Sequence, residues 1–483
     1  TFPINSAMLH KIFQIVLSAF FAEQVFAYDP TWESLDSRPL PPWYDQAKFG
    51  IFIHWGVFSV PAFKGEWMWR NWGSNPDIQD FLKKTELPHF SYADYAHRFD
   101  ATLYDPAHWA NVFAQSGAQY VVLTSKHHEG FCNWDSRDVP TTWLWNSMEI
   151  GPRRDLVGEL ATEVKMATSN QTQKALRFGL YHSLYEWFNP LYQADQRTNF
   201  TTSNFVHLKT MPELYDIVQK YEPELIWSDG DWDAYSDYWD SKQFLAWYAT
   251  NSSVAETAVW NDRWGKDAMC QHGSFLTCAD RYLPNKIIRH KWENALTITK
   301  SSWGYDRSLT LESYYSTEYL IHTLIQTVAF NGNMLLNIGP RADGTLNPIF
   351  EERLLDIGSW LSVSGEAIFD TRPWNVSQHE GANNVFYTTA ERGEDKTLYA
   401  LFSEWPEDNQ LHLASPVATD KTEARLLGLD SSKQPKYQCS VLSKGGGGEG
   451  MTAVLPVLTP GKAPCRHAWV LAITNIGNFE PGE

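Results

Sequence analysis

ELIWSDGDW, residues 224–232, begins as an apolar run and ends in two carboxylates beside tryptophan. An apolar run that stops at a Ser-Asp-Gly turn is typical of a strand buried on both faces, with a polar group at its C-terminal end. Helical patterns separate it from similar runs at 49–55, 120–126, 177–183, 258–263, 287–292 and 333–338. This alternation predicts a parallel α/β sheet or barrel.

Three of the intervening segments carry clear helix signals. Asp105 is a predicted N-cap, Pro106 follows it, and Gly117 ends the helix. A second helix is predicted from about 313 to 329 and a third from 350 to 362. The apolar positions of the second recur at helical spacing, which indicates core packing with no chemistry implied.

The texture of the sequence changes after about residue 370. Short β-like segments separated by turn-formers are typical of a small antiparallel sandwich, and 483 residues exceed what one core usually supports. We therefore predict a leader and signal peptide at 1–27, a catalytic domain at 28–368 and a C-terminal β-sandwich at 369–483. The run 443–450, with four consecutive glycines, is predicted to be a flexible loop.

The N-terminus and the charge favour an exported protein. Met8 to Ala27 has a basic start, an apolar run from 12 to 22 and small residues at the cleavage positions. A net charge of -18 argues against nucleic acid or an anionic membrane as partner, and no other stretch is long and apolar enough to span a bilayer. We expect a secreted or lysosomal protein with N-glycosylation sequons at Asn170, Asn199, Asn251 and Asn375.

Five cysteines are an odd number for an oxidising compartment, so at least one thiol is left without an intramolecular partner. From their proximity in the sequence we predict that Cys270 pairs with Cys278 and that Cys439 pairs with Cys465. Cys132 is then left over.

Polar side chains gather at the predicted strand ends. In a barrel these ends form one mouth, where such groups line a pocket about as wide as a monosaccharide. Sugar hydroxyls need donors and acceptors at fixed positions, while the apolar face of a sugar packs on an aromatic plane. The residues concerned are His54, Lys126, His127, His128, Tyr181, His182, Asp229, Asp231 and Arg263.

A metal site is the rival interpretation of so many histidines. Because neighbouring strand residues point to opposite faces, His127 and His128 are not expected to bind one ion without a local bend. The HExxH and paired Cys-x-x-Cys spacings of zinc sites are absent from the sequence. We predict neither a metal nor another cofactor.

Asp229 has the context of a catalytic nucleophile, delivered by a buried strand to a tight turn beside Trp227 and Trp232. The alternative is an Asx-turn residue that serves only its own loop. A retaining glycosidase needs a second carboxyl group about 5 Å away to protonate the leaving oxygen. Asp280 and Glu293 are the candidates, and spacing alone does not rank them, since either also fits an ordinary salt bridge.

The motifs together closely resemble the family 29 glycoside hydrolases, the α-L-fucosidases, and among them the animal tissue and lysosomal type. The resemblance covers nearly all of the predicted mature chain. It is carried by KFGIFIHWG at 48–56, GEW at 65–67, TSKHHEGF at 124–131, GLYHSLYEWF at 179–188, IWSDGDW at 226–232, WNDRWG at 260–265, HKWE at 290–293, SWGY at 302–305 and NMLLNIGPRADG at 333–344.

The resemblance implies a (β/α)8-like barrel followed by a β-sandwich, homo-oligomerisation, and hydrolysis of terminal α-L-fucose with retention of configuration. It makes Asp229 the nucleophile and leaves Asp280 and Glu293 both plausible as the acid/base, with a small edge to Asp280. Ile287 and Ala295 stand where the family usually has Leu and Cys. The implied fucose-binding positions are His54, Glu66, Trp67, His127, His128, Trp227, Arg263 and Trp303, with Tyr181 or His182 less surely aligned.

Two rival functions remain at this point. The first is a secreted fucose-binding protein that has lost turnover, and the second is a retaining glycosidase for another sugar. Hydrolysis of a fucoside alone, of another glycoside, or of none distinguishes the three.

Overall fold

The computed structural model describes residues 28–139, 141–142, 144–429, 439–443 and 450–482. The predicted signal peptide and the four consecutive glycines lie outside the described residues. Within them, no helix is both long enough and apolar enough to cross a membrane.

Seven parallel strands form one curled sheet in the order β5-β4-β3-β2-β1-β7-β6. Six of them are buried along their whole length, and β3 is buried except for its first residue, because helices cover the outer face and side chains fill the interior. The strands are β1 Phe49–Ile53, β2 Tyr120–Lys126, β3 Arg177–Ser183, β4 Leu225–Asp229, β5 Val259–Trp260, β6 Trp292–Thr297 and β7 Gly332–Ile338.

A short connection takes the place of an eighth strand between β5 and β6. The amide of Ser274 donates to the carbonyl of Trp260 at 3.0 Å, and that of Leu276 donates to the carbonyl of Lys291 at 2.9 Å. Residues 274–276 therefore touch both edges of the sheet and close the curl into a barrel.

The strand predicted at 287–292 is misplaced, because β6 begins only at Trp292. Ile287 and Ile288 are half-buried and pack against the outside of the core, so their apolar character reflects packing outside the sheet. The predicted strand at 258–263 is also too long, since β5 ends at Trp260.

Helices surround the barrel, and the three predicted ones are present, the second and third with shifted ends. Asp105 accepts a hydrogen bond from the amide of His108 at 3.0 Å, and Gly117 ends that helix in the left-handed conformation, as predicted. The α-helices are Trp32–Asp36, Pro42–Ala47, Met68–Asn71, Pro76–Thr85, Ala93–Ala96, Pro106–Ser116, Leu156–Met166, Pro190–Arg197, Met211–Tyr221, Ser236–Trp239, Ser241–Thr250, Thr317–Ala329 and Pro348–Ser364.

The C-terminal part consists of two antiparallel sheets, as predicted. One runs in the order β13-β16-β11-β10-β8, with β9 also paired to β10, and the other in the order β12-β15-β14. Residues of both sheets share a second apolar core. The strands are β8 Arg372–Pro373, β9 His379–Glu380, β10 Val385–Arg392, β11 Asp395–Phe402, β12 Gln410–Leu413, β13 Glu423–Leu426, β14 Ser440–Ser443, β15 Met451–Val454 and β16 Trp469–Thr474.

The disulfide between Cys270 and Cys278 is present, but the predicted pairing of Cys439 with Cys465 is wrong. Cys439 is buried in the core between the two C-terminal sheets, whereas Cys465 packs against the barrel core and donates to the carbonyl of Ala468. The two thiols belong to different cores and do not meet. Cys132 is buried and free.

The asparagines of all four sequons, Asn170, Asn199, Asn251 and Asn375, are exposed. Their glycosylation stays a prediction.

Candidate active site

The C-terminal ends of the barrel strands enclose one pocket. It holds most of the polar residues that the sequence placed at strand ends, together with indole rings. Its lining is formed by Phe52, His54, Glu66, Trp67, His127, His128, Tyr181, Trp227, Asp229, Trp232, Arg263, Asp280 and Trp303.

Asp229, the last residue of β4, is held by groups from other elements. The Tyr181 hydroxyl donates to Oδ2 at 2.8 Å, and Nη1 of Arg263 donates to Oδ1 at 3.1 Å. His128 Nε2 lies 3.4 Å from Oδ2. Because both oxygens are engaged across the pocket, the carboxylate does more than cap its own turn, which was the alternative interpretation.

The turn after Asp229 depends on glycine. Gly230 has φ +74°, and a Cβ there would lie 2.1 Å from the Tyr185 ring. Asp231 turns inward, and its Oδ2 accepts the amide of Gly265 at 3.0 Å. Burial, and then the neighbouring Asp229, raise the pKa of Asp231 to about 7. Asp231 is therefore buried and joins the turn to the backbone at Gly265.

Arg263 joins Asp229 to a second carboxylate. Its Nη2 donates to Asp280 Oδ1 at 2.6 Å, and its Cζ lies 4.6 Å from the centre of the Trp227 ring. The guanidinium is buried, whereas the Asp280 side chain is 43% exposed at the mouth of the pocket. One buried cation thus brings both carboxyl groups to the same small space.

Asp280 follows a loop that is fixed twice. The Cys270–Cys278 disulfide closes the loop, and the fully buried carboxylate of Asp262 accepts the amides of Cys270, Thr277 and Cys278 at 2.8, 2.9 and 3.0 Å. The Thr277 hydroxyl also donates to Asp262 and accepts from Nε of Arg263. These contacts set the position from which Asp280 reaches the pocket.

Replacement of Asp262 by alanine is expected to lower the free energy of unfolding by roughly 3 kcal/mol or more, because three loop amides lose their acceptor. Denaturant titration of both proteins measures the change. Asp267→Ala is the control, since its carboxylate serves only Ser236 and is partly exposed. Equal stability of the two variants would contradict the role given to Asp262.

Glu293, the other candidate for the second carboxylate, does not line the pocket. It is fully buried near the start of β6, where it accepts hydrogen bonds from Tyr44 and Tyr120 at 2.7 Å and from the Trp227 indole at 2.9 Å. Burial raises its pKa to about 7. The carboxyl group therefore lies in the barrel interior and supports Trp227 from behind.

The raised pKa of Glu293 predicts a pH-dependent stability. Below pH 4.5, its ordinary value, Glu293 is protonated in both the folded and the unfolded chain. As the pH rises towards 7, the unfolded chain releases this proton before the folded chain does. The free energy of unfolding therefore falls by on the order of 3 kcal/mol. The melting temperatures at pH 4.5 and at pH 7 are expected to differ less in Glu293→Gln than in the wild type. If the difference is the same in both proteins, Glu293 does not contribute to the pH dependence of stability.

The pocket histidines offer hydrogen-bonding groups. Nδ1 of His54 lies 2.7 Å from Asn337 Oδ1, and Nδ1 of His128 lies 2.7 Å from Ser183 Oγ. Burial, as the largest cause, holds the pKa values of both His54 and His128 well below the ordinary value. Because Nδ1 of each neutral ring already bonds a protein group, Nε2 is the nitrogen left to bond a hydroxyl group of a ligand.

The expectation that His127 and His128 point to opposite faces is wrong. β2 ends at Lys126, so both residues lie beyond the strand, and their rings approach to 4.0 Å while lining the same pocket. Within the described part of the chain, no group of three or more His, Cys, Asp or Glu side chains is arranged to hold a metal ion.

Glu66 fixes the position of Trp303. Its Oε2 accepts the amides of Trp303 and Gly304 at 3.1 and 2.8 Å. Nδ2 of Asn337 donates to the Trp303 carbonyl at 2.7 Å. The indole ring is thereby held at the pocket edge.

His182 does not reach the pocket. It points to the other side of β3, where Nδ1 lies 3.0 Å from Ser125 Oγ and Nε2 lies 3.5 Å from Glu213 Oε2. Lys126 and Lys209 donate to Glu213 at 2.6 and 2.7 Å in the same buried cluster. Burial lowers the pKa of His182 to about 4, so the neutral ring belongs to this ionic support behind the pocket.

Sequence reasoning assigned no role to two lining residues, Phe52 and Trp232. Phe52 looks like an ordinary core residue of β1, and nothing in its pattern sets it apart. Trp232 was noted only as a neighbour of Asp229, although its position three residues after that carboxylate already placed it near the pocket.

Two carboxyl groups in one pocket, at the C-terminal mouth of a parallel barrel walled with indole rings, fit the chemistry of glycoside hydrolysis. The fold and the site thus point to the class of glycoside hydrolases.

Comparisons with known proteins are more specific. The chain matches the family model for α-L-fucosidase over residues 16–366 and that for the α-L-fucosidase C-terminal domain over 378–474. It is 46% identical to rat tissue α-L-fucosidase over 451 residues, 93% of each chain, and 46% identical to human plasma α-L-fucosidase over 458 residues, 94% of each.

Among solved structures, that of Thermotoga maritima α-fucosidase in complex with fucose superposes with a TM-score of 0.74 at 30% identity, covering 93% of this chain and all of the other. The chain belongs to the α-L-fucosidase family of glycoside hydrolases, and its activity is the hydrolysis of α-L-fucosides.

Proposed function

We propose that the pocket releases terminal α-L-fucose by double displacement, with Asp229 as the nucleophile and Asp280 as the acid/base. The observation that carries this assignment is the single guanidinium of Arg263 shared by the two carboxylates in one pocket. Glu293 is the weaker candidate, because Tyr44, Tyr120 and Trp227 surround it in the barrel interior.

In the first step, Asp229 attacks the anomeric carbon and the bond to the leaving oxygen breaks, while Asp280 gives that oxygen a proton. In the second step, Asp280 takes a proton from water, and the water oxygen replaces Asp229 at the same carbon. Two inversions give net retention. Because Asp280 must carry a proton in the first step, we expect hydrolysis to be fastest at mildly acidic pH.

The remaining lining residues have the properties needed to hold the sugar ring. His54, His127 and His128 supply hydrogen-bonding nitrogens, and Trp67, Trp227 and Trp303 form walls against which the C6 methyl group of fucose packs. We propose terminal fucose on glycoproteins, glycolipids or oligosaccharides as the substrate, and a homo-oligomeric protein without a cofactor.

A secreted or lysosomal location is proposed from the predicted signal peptide and the four sequons. The relatives named above are tissue and plasma α-L-fucosidases, which supports a location that is either lysosomal or secreted.

A panel of 4-nitrophenyl glycosides tests the proposed function. We expect hydrolysis of the α-L-fucoside and no comparable rate with α- or β-galactosides. The first sugar released should be the α-anomer by NMR. Binding of fucose without hydrolysis of any glycoside would support the rival interpretation, a fucose-binding protein, and release of the β-anomer would exclude double displacement.

A further inference from the structure

Trp232 differs from the other aromatic residues of the pocket lining in its exposure. It lines the pocket, yet 40% of its surface is exposed, whereas Phe52, Tyr181 and Trp227 are buried and Trp67 and Trp303 are half-buried. The exposed part of this indole is apolar surface that opens onto a polar pocket. Because ligand pockets are lined mainly by apolar and aromatic side chains, this surface is available to a ligand.

The Trp232 ring is held in place from behind. Its centre lies 5.2 Å from the Tyr185 ring and 5.6 Å from the His128 ring, and it stacks at 6.4 Å on Trp67. The backbone of its turn is also fixed, because the Trp239 indole donates to the Asp231 carbonyl at 2.9 Å. The indole therefore forms a rigid platform, and rigid aromatic surfaces bind at low entropic cost.

The exposure of Trp232 indicates which part of a substrate meets it. The leaving group departs from the face of fucose opposite Asp229, beside the proposed acid Asp280, and extends to the mouth of the pocket. Trp232 and Asp280 are the two exposed residues among those that line the pocket in the described structure, so both lie at this mouth. The apolar face of a pyranose packs well on an indole.

The indole nitrogen of Trp232 adds a polar contact to the apolar ring face. Within the described residues, the indole N–H of Trp232 donates to no protein group, so it is free to bond a sugar hydroxyl.

We propose that Trp232 forms the subsite for the sugar to which fucose is attached, by stacking on the apolar face of that pyranose. This inference rests on the proposed function. Because stacking recognises a ring face and few hydroxyl positions, the subsite is expected to accept several hexopyranosides and to distinguish a sugar leaving group from a small one.

The test compares two substrates that share fucose but differ in leaving group. α-L-Fucosyl fluoride lacks a leaving sugar, and 2′-fucosyllactose carries one. In Trp232→Ala we expect kcat/KM for 2′-fucosyllactose to fall about five- to tenfold, while kcat/KM for fucosyl fluoride and the inhibition constant of free fucose stay within about twofold of wild type. Trp232→Phe, which keeps an aromatic plane, should recover much of the loss.

Phe188→Ala is the matched control, since Phe188 is also 40% exposed but packs on Trp69 and does not line the pocket. We expect Phe188→Ala to have the wild-type kcat/KM for both substrates. If Trp232→Ala lowers kcat/KM equally for both substrates and also weakens fucose binding, Trp232 belongs to the fucose pocket itself and the proposal is overturned. Unchanged kcat/KM for both substrates would overturn it as well. Should Trp232→Ala fail to fold, the same comparison is made with Trp232→Phe, where a smaller selective loss is required.

A second readout follows the fucosyl-enzyme, which sugar or methanol intercepts in competition with water. In this transfer the bond from the anomeric carbon to Asp229 breaks, a bond to the acceptor oxygen forms, and the acceptor's proton passes to Asp280. Trp232→Ala should reduce transfer from fucosyl fluoride to lactose but not to methanol. Failure of the proposed function is distinguishable, because the wild-type protein would then not turn over fucosyl fluoride at all.

Discussion

Hydrolysis of 4-nitrophenyl α-L-fucoside is expected to fall by a factor on the order of 10⁴ or more when Asp229 is replaced by alanine. The variant loses the atom that attacks the anomeric carbon, and the other carboxylates that line the pocket in the described structure are Glu66 and Asp280. Glu66 is committed to the amides of Trp303 and Gly304 through one of its oxygens.

The product that Asp229→Ala forms in the presence of azide shows whether Asp229 acts as the nucleophile. In Asp229→Ala a small anion fits where the carboxylate stood, attacks from the same side, and should give fucosyl azide of inverted, β configuration. Asp231→Asn is the control, because this neighbouring carboxyl also is buried but bonds to the Gly265 amide. A larger loss in Asp231→Asn than in Asp229→Ala, or azide products of retained configuration from the latter, would argue against Asp229 as the nucleophile.

Replacement of Asp280 by alanine is expected to slow hydrolysis of 2′-fucosyllactose by about 10²- to 10⁴-fold, the usual contribution of a general acid. Fluoride leaves without a proton, so formation of the fucosyl-enzyme from fucosyl fluoride should be nearly unaffected. Azide then replaces water in the second step and should give α-fucosyl azide, with configuration retained. Burst kinetics and product NMR measure these outcomes.

Glu293→Gln is the matched variant for this experiment. Its amide keeps the shape of the buried carboxyl group, so we expect a change in stability and only a modest change in rate, without dependence on the leaving group. If Glu293→Gln instead discriminates between the two substrates and is rescued by azide while Asp280→Ala is not, the assignment of the acid/base is reversed.

The position of Asp229 in the pocket was predictable from sequence because an apolar strand and a turn with glycine leave few places for this carboxylate to lie. The sequence does not show in the same way which of two consecutive strand residues faces the pocket. Tyr181 and His182 are consecutive residues of β3, and since side chains alternate, only Tyr181 faces the pocket. Strand periodicity already excluded one of the pair, but it did not say which one.

The ends of the strands were predicted less well than their existence. The error in β6 determined whether Glu293 was expected to line the pocket. With a strand placed at 287–292, Glu293 falls at its C-terminal end and therefore at the mouth. In the structure β6 begins at Trp292, so Glu293 lies at the opposite end of the barrel. Two isoleucines that pack outside the sheet, Ile287 and Ile288, imitated a strand, and nothing local reveals where such residues pack.

The histidine pair after β2 illustrates a third limit. Whether His127 and His128 alternate or converge depends on whether the strand includes them, and a difference of one residue in its end changes the answer. The disulfide pairing of Cys439 with Cys465 failed for a related reason, since proximity in sequence does not reveal that the two residues belong to different cores.

The segment that closes the barrel between β5 and β6 also leads directly into Asp280. Asp229, the proposed nucleophile, stands on a strand that is paired with neighbours on both sides. Asp280, the proposed proton donor, stands on an irregular connection, where insertions and deletions are tolerated. A change in the length of this connection would therefore move Asp280 and leave Asp229 in place. The same division makes this loop the natural place to graft new lengths and residues when an enzyme of this kind is redesigned to build fucosides rather than to cleave them.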